Sequence, residues 1–133
     1  MKKIYFITGN KGKFREVKKI LEKECVVEML DLDLPEIQET DAHKIIREKL
    51  KTAQKYHNGE FIIEDTSLYL DCLEGLPGPL IKWFLEKLGL NKMFEICKKF
   101  GNYGEEAKTI IGYSDSREKI TFFEGKKKKK IGP

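Results

Sequence analysis

Two groups of residues could do chemistry together. The first is the turn Thr8-Gly9-Asn10-Lys11-Gly12-Lys13, which follows the apolar run Lys3–Ile7 and precedes a helical pattern. A glycine-containing turn at a helix N-terminus points backbone N–H groups outward, and the helix end adds partial positive charge. Thr8 and Asn10 add side-chain groups, and Lys11 and Lys13 add full charges, so an anion such as phosphate suits this turn. A plain strand–helix turn with Asn10 as N-cap explains the same residues, and the spacing is not that of a P-loop. The second group is acidic: Glu36, and the pair Glu64-Asp65 followed by Thr66-Ser67. Carboxylates beside a phosphate cradle are what a Mg²⁺-dependent phosphoryl or nucleotidyl reaction needs, because Mg²⁺ takes one or two carboxylates plus phosphate oxygens and water. Successive strand residues point to opposite faces, so at most one of Glu64 and Asp65 faces a given cleft. Surface acids are the plain alternative for the pair.

The elements that must position these groups follow from periodicity. Phe14, Val17, Ile20 and Leu21 share one face of the first helix. Val26–Leu34 alternates as a second strand, closed by Pro35. A helix over Ala42–Tyr56 carries Ile46, Leu50 and Ala53 as its core stripe, with Gly59 beyond its end. Phe61-Ile62-Ile63 reads as a buried strand ended by its acids, and Ser67–Cys72 as a second short strand. Pro79 suits the first turn of a helix whose face is Leu80, Trp83, Phe84 and Leu88. Asn91 caps a last helix with Met93, Phe94, Ile96, Cys97 and Phe100 inward and Gly101 as its stop. Ala107–Ser114 and Lys119–Phe123 form an antiparallel hairpin. The order β-α-β-α-β-β-α-α-β-β predicts an α/β fold with a central mixed sheet and flanking helices. Two adjacent strand pairs lack a crossover helix, which excludes a doubly wound parallel sheet.

The chain has 133 residues, 40% hydrophobic and 36% charged, which fits one globular domain over 1–125 and a basic tail at 126–133. The net charge is +4, but five of the positive charges are Lys126–Lys130, and without them the balance is −1. Such a run reads as a solvated end rather than a nucleic-acid arm. No apolar run reaches membrane-spanning length, so neither membrane nor nucleic acid is expected as a partner, and a cytoplasmic location is. Three cysteines without metal spacing read as reduced, partly buried thiols. His43 and His57 lack companions at ligand spacing and read as solvated surface residues.

Three blocks in order, Thr8-Gly9-Asn10-x-x-Lys13, Leu34-Pro35-Glu36-Ile37-Gln38, and Glu64-Asp65-Thr66 followed by Gly75-Leu76-Pro77-Gly78-Pro79, resemble the inosine triphosphate pyrophosphatase family. The resemblance spans residues 1 to about 125. It implies a homodimeric hydrolase that clears noncanonical purine nucleoside triphosphates (ITP, dITP, XTP), releasing the monophosphate and pyrophosphate with Mg²⁺. It also implies roles. Thr8, Asn10 and Lys13 hold the triphosphate, with Gly9, Lys11 and Gly12 contributing backbone, and Thr66 touches the substrate. Lys49 is a further phosphate contact, although a solvated helix lysine explains it as well. Glu36 and Asp65 hold Mg²⁺, and Asp65 is also the general base. The family's Phe-x-Trp-Asp and Ser-His-Arg segments, which read the base, have no counterpart here. A truncated or frame-changed chain with impaired or unselective turnover is therefore one expectation. A non-catalytic homologue that folds, dimerises and binds nucleotide weakly is the other.

Overall fold

The computed structural model describes residues 1–132. Its elements are β1 (Lys3–Ile7), α1 (Lys11–Leu21), β2 (Val26–Leu30), α2 (Ala42–Tyr56), β3 (Phe61–Leu70), β4 (Pro77–Gly78), α3 (Ile81–Lys87), α4 (Gly89–Phe100), β5 (Gly104–Ser114) and β6 (Ile120–Lys130), with a 3₁₀ turn at Asp71–Leu73. The strand order is β2-β1-β3-β5-β6, and β4 pairs with β3. β1 runs parallel to β2 (Lys3↔Val26 to Ile7↔Leu30) and to β3 (Tyr5↔Phe61), whereas β4 is antiparallel to β3 (Leu68↔Gly78). The expected mixed sheet is thus present. By their contacts the described residues form two compact units, 1–38 with 43–64 and 111–123, and 39–42 with 65–110 and 124–132.

In the first unit, Phe6, Cys25, Val27 and Ile62 form a buried cluster, covered by Phe14, Val17 and Leu21 of α1. The fourth residue of the expected α1 stripe, Ile20, is 74% exposed. It lies at the edge of the face set by 14, 17 and 21 and borders an apolar hollow of about 330 Å³. Ile45, Ile46, Leu50 and Ala53 of α2 are buried, matching the predicted stripe with Ile45 added. Both histidines of this unit pack against rings rather than standing in solvent: His57 meets Tyr5 edge-on at 4.7 Å, and His43 meets Phe122 at 4.7 Å.

The α2 face closes onto Gly112. A Cβ placed there would lie 2.3 Å from Ile46 Cγ2 and 3.1 Å from Leu50 Cδ1, both fully buried side chains with little room to yield. Gly112→Ala is therefore expected to destabilise the fold by about 1–3 kcal/mol through overpacking. A denaturant titration checks this, and an unchanged midpoint would mean that the helix can shift freely.

In the second unit, Leu70, Met93, Cys97 and Ile131 form the core, with Ile81, Phe84, Phe94 and Tyr103 packed on it. The α3 face differs from expectation: Ile81 and Phe84 point inward, and Trp83 is 54% exposed with Lys82 Nζ 5.4 Å from its ring centre. α3 starts at Ile81 with Leu80 as N-cap, so Pro79 precedes the helix rather than opening it. α4 starts at Gly89, placing Asn91 inside its first turn instead of at the cap, and Phe100 is exposed. Gly101 does close α4: at φ 66° it donates its N–H to the carbonyls of Cys97 and Lys98, a conformation that glycine adopts without a Cβ clash. The three thiols are free, as expected, and Cys72 and Cys97 lie 3.5 Å apart. Burial pushes the Cys97 thiol up to about 11.

Three segments correct the sequence reading. β2 ends at Leu30, and the chain from Asp31 to Glu39 carries no regular structure. The two strands expected around Glu64-Asp65 are one continuous ten-residue strand. The lysines of the expected tail at 126–133 complete β6 as far as Lys130. Glu124 lies within 4 Å of Lys126 and Lys108, Glu105 of Lys129, and Glu106 of Lys128.

Candidate active site

The candidate site is built from the C-terminal end of β1. Ile7 leaves the sheet, and Thr8 N–H donates to Leu30 O of β2 (3.2 Å), anchoring the turn. Thr8 Oγ1 accepts from Asn10 N–H at 3.1 Å, and Asn10 Oδ1 accepts from Lys13 N–H at 3.0 Å. Asn10 is therefore the N-cap of α1, and Lys11, Gly12 and Lys13 form the first helical turn. The cap and the anion readings are compatible, because a capped helix still has other N–H groups directed outward. At Gly9 a Cβ would sit 3.4 Å from Asp31 Oδ1, so the turn lies close against the segment after β2.

A polar pocket of about 320 Å³ opens beside this turn, lined by Thr8, Gly9, Asp33, Glu36, Lys49 and Glu64 among others. Lys49 comes from α2, and its Nζ is 3.4 Å from Glu36 Oε1. Glu64, from β3, holds Lys13 with Nζ 3.2 Å from its Oε1, while the exposed Glu16 is a looser partner at 3.7 Å. The hydrogen bond that the Lys13 ammonium donates to Glu64, more than any other influence, raises its pKa above the ordinary value. Asp65 and Thr66 continue β3 in the second unit. There the buried Ser67 Oγ donates to Asp65 Oδ2 at 3.4 Å, and Thr66 is exposed.

The pocket thus gathers Thr8, Gly9, Glu36 and Lys49 from the sequence-derived set, with Lys13 tied to its wall. It adds two carboxylates, Asp33, which carried no assignment, and Glu64, the member of the Glu64-Asp65 pair that carried no role of its own. The alternation Asp31-Leu32-Asp33-Leu34 holds a trace of the first, since both acids share one face of an extended segment. Among the described residues, no three His, Cys, Asp or Glu side chains converge to hold a metal by themselves. The lining donors are oxygens, which fits a hard cation that draws most of its ligands from phosphate and water.

A sequence profile of the Ham1 family matches residues 4–133. The chain belongs to the Ham1 family. It is 39% identical over 124 residues to inosine triphosphate pyrophosphatase 2 of Trypanosoma cruzi, a match covering 93% of this chain and 63% of that protein. It is 40% identical over 139 residues to the inosine triphosphate pyrophosphatase of Saccharomyces cerevisiae, covering 98% and 71% respectively. The chain therefore spans somewhat under two thirds of the length of the Trypanosoma relative. In fold it is similar to the Ham1 protein of Staphylococcus aureus (TM-score 0.86, 20% identity, 98% of this chain and 72% of that one). It is also similar to a nucleoside-triphosphatase, a dITP/XTP pyrophosphatase, from Mycobacterium abscessus (TM-score 0.80, 18% identity, 96% and 73%). The turn after β1 is anchored by a bond to the backbone of β2 and by its own helix cap.

Proposed function

We propose that this Ham1 chain hydrolyses noncanonical purine nucleoside triphosphates, ITP, dITP and XTP, to the monophosphate and pyrophosphate. The observation that carries the reading is the polar pocket at the capped β1–α1 turn, in a chain whose relatives at about 40% identity are named inosine triphosphate pyrophosphatases. Thr8, Asn10, Lys13 and the backbone of Gly9, Lys11 and Gly12 hold the phosphates, Lys49 adds a second cation, and Thr66 touches the substrate. Asp65 takes the proton of the water that attacks the α-phosphorus, and the α–β anhydride bond breaks with pyrophosphate as leaving group. Glu36 and Asp65 would hold Mg²⁺, which when bound would supply neutralisation of the polyphosphate charge and activation of the attacking water. A homodimer in the cytoplasm is part of the same proposal. Among the described residues, no helix is long and apolar enough to cross a membrane.

The test is pyrophosphate release from inosine, xanthosine, guanosine and adenosine triphosphates, with Mg²⁺ and with chelator. Metal-dependent release that favours the inosine and xanthosine nucleotides is expected. Equal release from all four would leave the hydrolase reading standing without its base selectivity. A folded sample that releases none would be a nucleotide-binding homologue without turnover.

A further inference from the structure

Each lysine at the pocket is already engaged with a carboxylate. Lys13 is held by Glu64 at 3.2 Å and Lys49 by Glu36 at 3.4 Å. The two pairs are unequal: the Glu64 side chain is 16% exposed and that of Glu36 50%, so solvent weakens the second pair more. Asp33 adds a third carboxylate to the lining, and Asp31 lies against Gly9 behind it. A bare polyphosphate therefore meets more carboxylates than ammonium groups, with both ammonium groups occupied. A divalent cation has the opposite preference and competes with the lysines for their carboxylates. Where it takes one, a lysine is released towards the phosphate.

We propose that Glu64 is a positioning residue that holds Lys13 back in the empty pocket and surrenders it when a divalent cation arrives. Cation and triphosphate then bind cooperatively rather than independently, each strengthening the other by the same factor. The inference rests on reading the pocket as a triphosphate cradle. It adds Glu64, as a carboxylate that passes from Lys13 to the cation, to the cation and base roles proposed for Glu36 and Asp65.

Calorimetric binding of inorganic tripolyphosphate tests it without turnover. The wild-type chain is expected to bind weakly in chelator and about tenfold or more tighter with Mg²⁺. Glu64→Gln should raise the metal-free affinity roughly fivefold or more and shrink the gain from Mg²⁺. Asp33→Asn removes the same charge from the lining but leaves the Lys13–Glu64 pair in place, and should give a clearly smaller rise. Equal rises in the two variants would reduce the effect to plain repulsion and overturn the proposal, as would no rise in Glu64→Gln. A reciprocal measurement guards against a misfolded variant. Mn²⁺ binding without phosphate, followed by electron paramagnetic resonance, should tighten in Lys13→Met because Glu64 is set free, and equal affinities would count against the exchange. If the folded wild-type chain binds no tripolyphosphate even with Mg²⁺, the cradle itself fails. If it binds but Glu64→Gln changes nothing, only the exchange fails.

Discussion

Asp65→Asn is expected to lower kcat by about 10²- to 10⁴-fold, the usual contribution of a positioned general base. The substitution keeps the size and shape of the side chain and removes only its capacity to take a proton and carry charge. The hydrogen bond from Ser67 Oγ, 3.4 Å to Asp65 Oδ2, can still be accepted by an amide oxygen, so the strand should hold its conformation. Single-turnover pyrophosphate release, measured beside an unfolding curve, separates the two effects. A variant that folds and turns over normally would remove Asp65 from the reaction and leave another group to accept the proton.

For Lys13→Ala, kcat/KM should fall roughly 10- to 150-fold, the equivalent of losing a hydrogen bond to a charged group worth about 1.5–3 kcal/mol. The loss is expected in both parameters, with KM raised and kcat lowered, because in the proposed site Lys13 would contact phosphate in the ground state and more strongly as charge builds on the leaving pyrophosphate. Stability should barely change. The Lys13–Glu64 pair is partly solvated on the lysine side, and such pairs contribute little to folding. Steady-state kinetics with inosine triphosphate check the split, and a change confined to KM would mean that the contact is uniform along the reaction.

The helix α2 was legible to the residue, because an uninterrupted 3.6-residue stripe of Ile46, Leu50 and Ala53 leaves no other face to bury. β3 was not. Four consecutive polar residues, Glu64 to Ser67, have the composition of a turn. The strand runs through them because its apolar flanks are both paired, Phe61-Ile62 with β1 and Leu68-Tyr69 with β4. That pairing is tertiary information which no local window contains. β6 was shortened for a related reason: lysine has poor strand propensity, and the acids that offset its charge, Glu105 and Glu106, belong to β5. At the candidate site, the turn was readable because Thr8, Gly9 and Asn10 each have a backbone-directed task within a few residues. The pairing of Lys13 with Glu64 was not readable, since it exists only once β3 lies alongside β1.

The lysine strand has one more consequence. Among the described residues β6 ends the strand order of the sheet, so one of its sides offers backbone N–H and C=O groups that no described strand covers. Such a rim invites another chain to add itself, and rows of lysine are among the devices that discourage it, because a second lysine-rich strand would bring like charges into register. The stretch that looks from composition like a hand held out to polyanions is, in its place, insulation against unwanted sheet growth.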